Sequence, residues 1–195
     1  MQTYTHFIMT AALTKLDQKV TWLPPLKPLY FLFGAVLPDI PLIILTIGYG
    51  LYRYWYDPMG PGEFIFDSTY DTLYFTHPFW ITGYNLFHSP VLVTLYGAVG
   101  IWAWRNGKGW GAGLFWVALA CGIHSFVDIV SHVDDGPLLL FPFDWALRFR
   151  APFSYWDSRY GARTVSTVEH WMDLFLITWV IVPWLFRKVR TKIAG

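Results

Sequence analysis

Apolar residues in this chain gather in long runs instead of alternating with polar ones. Four runs, at about 29–51, 90–104, 110–130 and 171–187, have or approach the length that crosses a bilayer. A hydrocarbon core of about 30 Å takes about 20 helical residues at about 1.5 Å each. The second run is short, and residues 79–89 extend it. Lipid offers no partner to a free backbone amide, so such runs must be helical. The pattern predicts an all-α integral membrane protein, a bundle of four transmembrane helices with two long outward-facing loops. A fifth is added if residues 4–20, with Phe7, Ile8, Ala11 and Ala12 on one face, insert as a short half-span; otherwise they form an amphipathic helix on the cytoplasmic surface.

Loop charge orients the bundle. Lys15, Lys19 and Lys27 precede the first span, Arg105 and Lys108 join the second to the third, and Arg187, Lys188, Arg190 and Lys192 follow the fourth. All three groups fall on one side, which the positive-inside rule makes cytoplasmic. The loops 52–89 and 131–170 then face outward, and residues 1–195 read as a single transmembrane domain with no repeat or linker. Composition agrees: 55% of residues are apolar, 21% aromatic and only 14% charged. Twelve tryptophans and twelve tyrosines suit the aromatic belts at the membrane surface. A net charge of +1 argues against a nucleic-acid partner. The lone Cys121 excludes an intrachain disulfide and reads as packing, and no cleavable signal peptide is evident.

Against that background the polar residues within the runs stand out. An aspartate at mid-membrane costs about 2.5 to 3.5 kcal/mol on insertion scales, which makes it a functional-site hypothesis. Asp39 lies in Leu37-Pro38-Asp39-Ile40-Pro41, where two prolines interrupt a helix, an arrangement lipid tolerates only around a cavity or site. His124, Asp128 and His132 follow one another at four-residue steps and so share a helix face, while His88 stands at the outer end of the second span. These depths converge toward the outer leaflet. Imidazole and carboxylate together suit zinc first, then manganese or iron, better than calcium or magnesium. His6 joins them only if the amino-terminal segment starts outside. Asp135 and Glu169 are the spare carboxylates for acid–base work, although Ser166-Thr167-Val168-Glu169 also has the spacing of a capping box opening the fourth span. Arg148, Arg150, Arg159 and Arg163 are the candidates to hold a lipid phosphate.

At several of these positions the chain resembles the inner-membrane metal-dependent hydrolases, also described as LexA-binding inner-membrane-associated hydrolases, which look distantly similar to zinc-dependent phospholipase C. The resemblance rests on Thr5-His6, Gly34 through Ile40, Phe87-His88-Ser89, and Gly122 through Asp128 with Gly136 to Pro142. It departs at Pro41, where many members carry a second acid, and at Asn85-Leu86-Phe87, where they carry His-Arg-Gly. The resemblance implies a multi-pass protein of the bacterial inner membrane that cleaves a lipid-linked phosphoester near the outer leaflet. The competing expectation is a non-catalytic subunit of a larger membrane complex, in which the same residues hold a structural metal, a haem or a buried polar network. Membrane lipids are the expected partners in the first case, a protein in the second.

Overall fold

The computed structural model describes residues 1–16, 21–60 and 62–193, and their side chains except at 184 and 186–193. Residues 17–20 of the predicted amino-terminal helix, Lys19 included, and the side chains of Arg187, Lys188, Arg190 and Lys192 lie outside that description. The described residues form helices α1 (Thr3–Leu13), α2 (Pro28–Val36), α3 (Asp39–Trp55), α4 (Ser68–Thr76), α5 (Pro78–Asn85), α6 (Pro90–Arg105), α7 (Gly111–Ser131) and α8 (Ala162–Ile193), with a 3-10 turn at Ser158–Tyr160. Among the described residues no strand occurs, only an isolated bridge between Leu138 and Arg148.

Two of the predicted spans are each two helices. α2 and α3 meet at an angle of 42°, and α5 and α6 at 47°. Prolines explain both bends. Pro38 has no N–H for the carbonyl of Gly34, and Pro90 has none for that of Leu86, so the helical ladder fails at each point. Side chains take up the freed acceptors: the Cys121 thiol donates to Gly34 O at 3.3 Å and the Tyr96 hydroxyl to Leu86 O at 3.3 Å. By length and apolarity α7 and the Ala162–Pro183 part of α8 can each cross a membrane alone; the bent pairs raise the number of candidate crossings to four.

α8 starts at Ala162, well before the predicted 171, and this overturns the capping-box reading of Ser166 to Glu169. Gly161, at φ 78°, turns the chain into the helix, and the amides of Thr164 and Val165 already bond to its carbonyl. Ser166 therefore sits inside the helix, and Glu169 is free to face inward.

α7 is the central post. α6 packs along it as an antiparallel hairpin, and α2 runs beside it so closely that a Cβ on Gly34 would meet Val117 O at 2.4 Å and Val117 Cα at 2.8 Å. Small residues let helix backbones approach this way where no hydrophobic effect drives association. Phe31, Phe115, Trp116 and Ala120 form the core between α2 and α7, with Leu13 of α1 against it. α1 packs against α2 and α8, and reaches α7 through His6 and the Met1 amino group at Asp128. A second aromatic core, Tyr49, Tyr70, Tyr74, Trp80 and Tyr84, joins α3, α4 and α5. Asp67 anchors it, capping α4 through the Tyr70 amide at 2.8 Å and accepting from Tyr49 Oη and Arg53 Nη1 at 3.1 Å each.

Gly34→Ala should lower stability by about 1–3 kcal/mol through overpacking, read as a lower thermal midpoint in detergent. Gly97→Ala, whose new Cβ meets only Ala118 Cβ at 3.8 Å, should leave the midpoint unchanged or raised; equal losses in both would contradict the close approach. The Tyr70 amide, with Tyr49 and Arg53 helping, holds the Asp67 carboxyl below the usual carboxylate range. A lowered value stabilises the fold above the unfolded-state value and stops doing so as pH falls through the folded one. Acidification through that range should therefore expose residues 56–67 to protease first, and Asp67→Asn should expose them at neutral pH.

Candidate metal centre

Each break in a span delivers one side chain to the same place. Asp39 opens α3 directly after Pro38, and His88 stands between α5 and α6, just before Ser89-Pro90. α7 adds His124 and Asp128 one turn apart. The four ligand atoms lie within 4.8 Å of one another. His88 Nε2 is 3.3 Å from His124 Nε2, 3.5 Å from Asp128 Oδ2 and 3.7 Å from Asp39 Oδ1. His124 Nε2 is 3.1 Å from Asp128 Oδ2 and 3.4 Å from Asp39 Oδ1.

The outer nitrogens fix the tautomers. His88 Nδ1 lies 2.7 Å from Tyr84 O, and His124 Nδ1 lies 2.7 Å from Ala35 O. A carbonyl only accepts, so both Nδ1 atoms carry hydrogen and both neutral rings turn an Nε2 lone pair inward. Two lone pairs and two carboxylate oxygens thus converge with no donor among them. Such a convergence is balanced by a cation, either two extra protons on the rings or one divalent metal, and this donor set fits zinc, manganese or iron. The His88 and His124 side chains are 0% exposed, whereas Asp39 keeps 19%, which makes it the most open of the four groups.

α1 closes another side. Thr3 Oγ1 donates to Asp39 Oδ2 at 2.5 Å, orienting the carboxylate from outside. The His6 ring stacks on His124 at 3.6 Å, and its Nε2 is 3.1 Å from Asp128 Oδ1, the oxygen turned away from the other ligands. The Met1 amino group lies 2.8 Å from that same oxygen. His6 therefore shares a level with Asp39 and Asp128, as the half-span arrangement requires, but faces Asp128 as a donor and is not one of the four converging groups.

The remaining expected residues lie around the centre. His132 Nδ1 donates to the Asp128 carbonyl at 2.8 Å and sits 4.0 Å from its carboxylate, packed edge-on against Tyr155. Asp135 accepts from the Trp156 indole at 2.8 Å. Glu169 is buried against α1, accepting from the Gln2 amide and the Thr5 hydroxyl, each at 2.8 Å. Arg148 donates to Gly136 O and lies over the rings of Tyr74 and Phe75 at 5.8 and 5.6 Å, bracing the 132–161 segment. Arg150 pairs with Asp134 at 3.3 Å and Arg159 with Asp157 at 2.6 Å, while Arg163 is exposed at the start of α8. That segment covers the centre: Ser89 Oγ donates to Phe141 O at 2.7 Å, and the Leu138 amide to Asn85 Oδ1 at 2.8 Å.

Sequence reading missed Thr3, the two carbonyl braces, Thr5 and Asp173. The four-residue step from Glu169 to Asp173 was the available signal for the last of these. Nothing local marks Thr3, and Thr5 stands out only as the neighbour of His6, because their roles arise from how α1 packs.

No curated protein and no solved structure matches the chain. The family model described as YdjM inner membrane protein matches residues 1–192, nearly the whole chain. With a break-and-ligand arrangement carried on long apolar helices, the chain belongs to the YdjM inner membrane protein family.

Proposed function

We propose that this protein is a membrane-embedded, metal-dependent hydrolase that cleaves a lipid-linked phosphoester near the outer leaflet of the bacterial inner membrane. The observation that carries the reading is the convergence of Asp39, His88, His124 and Asp128 within 4.8 Å, with both imidazoles braced through Nδ1 so that each turns Nε2 inward. We read four crossings, α2–α3, α5–α6, α7 and α8, with the centre at the outer ends of α1 and α7. Asp39, His88, His124 and Asp128 would hold the ion, zinc in first place. A divalent ion there supplies Lewis acidity to a phosphoryl oxygen and to an attacking water.

The chain's own groups do the rest. The carbonyls of Ala35 and Tyr84 keep both imidazoles in the ligating tautomer. Thr3 keeps Asp39 turned inward, and the partial exposure of Asp39 at the α2–α3 break gives the headgroup its approach from the lipid side. His6, bonded to the far oxygen of Asp128, is placed to hold and pass a proton at Nε2. Arg163, without an ion-pair partner among the described residues, is the arginine most available to a phosphate; Arg150 and Arg159 would exchange an acidic partner for it.

The near-complete burial of His88 and His124 favours one second reading, a non-catalytic subunit with a structural metal. Activity separates the two. Purified protein should carry about one equivalent of divalent metal per chain, the stoichiometry of a four-ligand site, and Asp39→Ala and His124→Ala should lose it while remaining helical. Thr3→Val should weaken metal affinity by about 10–100-fold, the usual cost of removing a group that orients a ligand. Loaded protein should hydrolyse a member of a phospholipid panel in mixed micelles, with turnover lost in His88→Ala. Bound metal with no turnover on any phosphoester would favour the subunit; no bound metal after incubation with zinc, manganese and iron would contradict the hydrolase and leave a subunit in which these residues form a buried polar network.

A further inference from the structure

A second polar cluster lies between α1 and α8, outside the four converging groups. Glu169 and Asp173 are one helical turn apart on α8, with 3% and 5% of their surface exposed. Between them stands Thr5, fully buried, whose Oγ1 is 2.8 Å from Glu169 Oε1 and 2.8 Å from Asp173 Oδ2. A threonine hydroxyl carries one hydrogen, so it donates to only one of these oxygens. At 2.8 Å the other contact needs a hydrogen of its own, and only the carboxyl can provide it. Glu169 Oε1 already accepts from the Gln2 amide at 2.8 Å, which suits it to be the ionised member. Glu169 Oε2 and Asp173 Oδ1 have no hydrogen-bond partner among the described residues, a poor setting for two adjacent negative charges.

We propose that Asp173 is protonated in the folded protein, forming the chain Asp173 Oδ2–H to Thr5 Oγ1–H to Glu169 Oε1. It pins α1 to α8, and α1 carries Thr3 to Asp39 and His6 to Asp128. No lysine or arginine pairs with either carboxyl among the described residues. The titratable groups that face the pair are Tyr4 on α1, His170 on α8 and Tyr155 of the covering segment, while His6 and the Met1 amino group are bonded to Asp128 instead. His170 is exposed and bonded to Tyr4 and to Ser166, so it does not neutralise the pair from within. The proposal does not require that the metal centre be occupied or catalytic.

Infrared spectroscopy of the full chain in lipid nanodiscs at neutral pH tests it. The expected result is a protonated-carboxyl stretch that shifts on labelling with carbon-13 aspartate, does not shift with labelled glutamate, and is absent from Asp173→Asn. That variant should keep the thermal midpoint of the wild type, since its amide still donates to Thr5, whereas Asp173→Leu should lower it. No protonated-carboxyl band, as two ionised carboxyls bridged by a cation would give, overturns the proposal. So does a band that shifts only with labelled glutamate, or one that persists in Asp173→Asn. The isotope shift in the unmutated protein decides the question even if neither variant folds.

Discussion

Two imidazole nitrogens and two carboxylate oxygens held within 4.8 Å of one another inside an apolar bundle are the constraint on which this structure turns. Two imidazole lone pairs and two carboxylate oxygens repel one another unless a cation lies between them, and a helical interior offers no water to separate them. Burial alone would scatter such groups. The fold keeps them together by fixing each from behind: backbone carbonyls on the two histidines, a threonine hydroxyl on Asp39, a histidine on the far oxygen of Asp128.

The broken helices are the means of that fixing. Each backbone carbonyl has a second lone pair that a side chain can use. Interrupting two spans at Pro38 and Pro90 ends α2 and α5 beside the centre, where Ala35 O braces His124 across the α2–α7 contact and Tyr84 O braces His88 one turn back along its own chain. Gly34 permits the first of these, because any Cβ there would push α2 away from α7 and withdraw the carbonyl. A packing requirement at one residue is therefore a chemical requirement at the next.

Much of this was legible in the sequence, and the limits have physical causes. Asp39 between two prolines and the four-residue step from His124 to Asp128 announced themselves because carboxylates and prolines are costly in lipid, and the structure brings both to one point with His88. His132 continues the same step but falls past the end of α7, where it bonds to a backbone carbonyl. The capping-box spacing at Ser166 was misleading, since a glycine in the left-handed region starts α8 earlier and turns Glu169 into the bundle. The place of His6 could not follow from charge counts, because it depends on α1 folding back against α7 and α8, a long-range contact that no local pattern encodes.

X-ray absorption spectroscopy of the metal held by the purified protein reads the ligands around the ion. The four-ligand assignment requires a shell of nitrogen and oxygen alone at about 2.0–2.2 Å for zinc, with the outer-shell scattering of two imidazoles. A shell containing sulfur, or one without imidazole scattering, would contradict it, because the ion would then lie somewhere other than among Asp39, His88, His124 and Asp128.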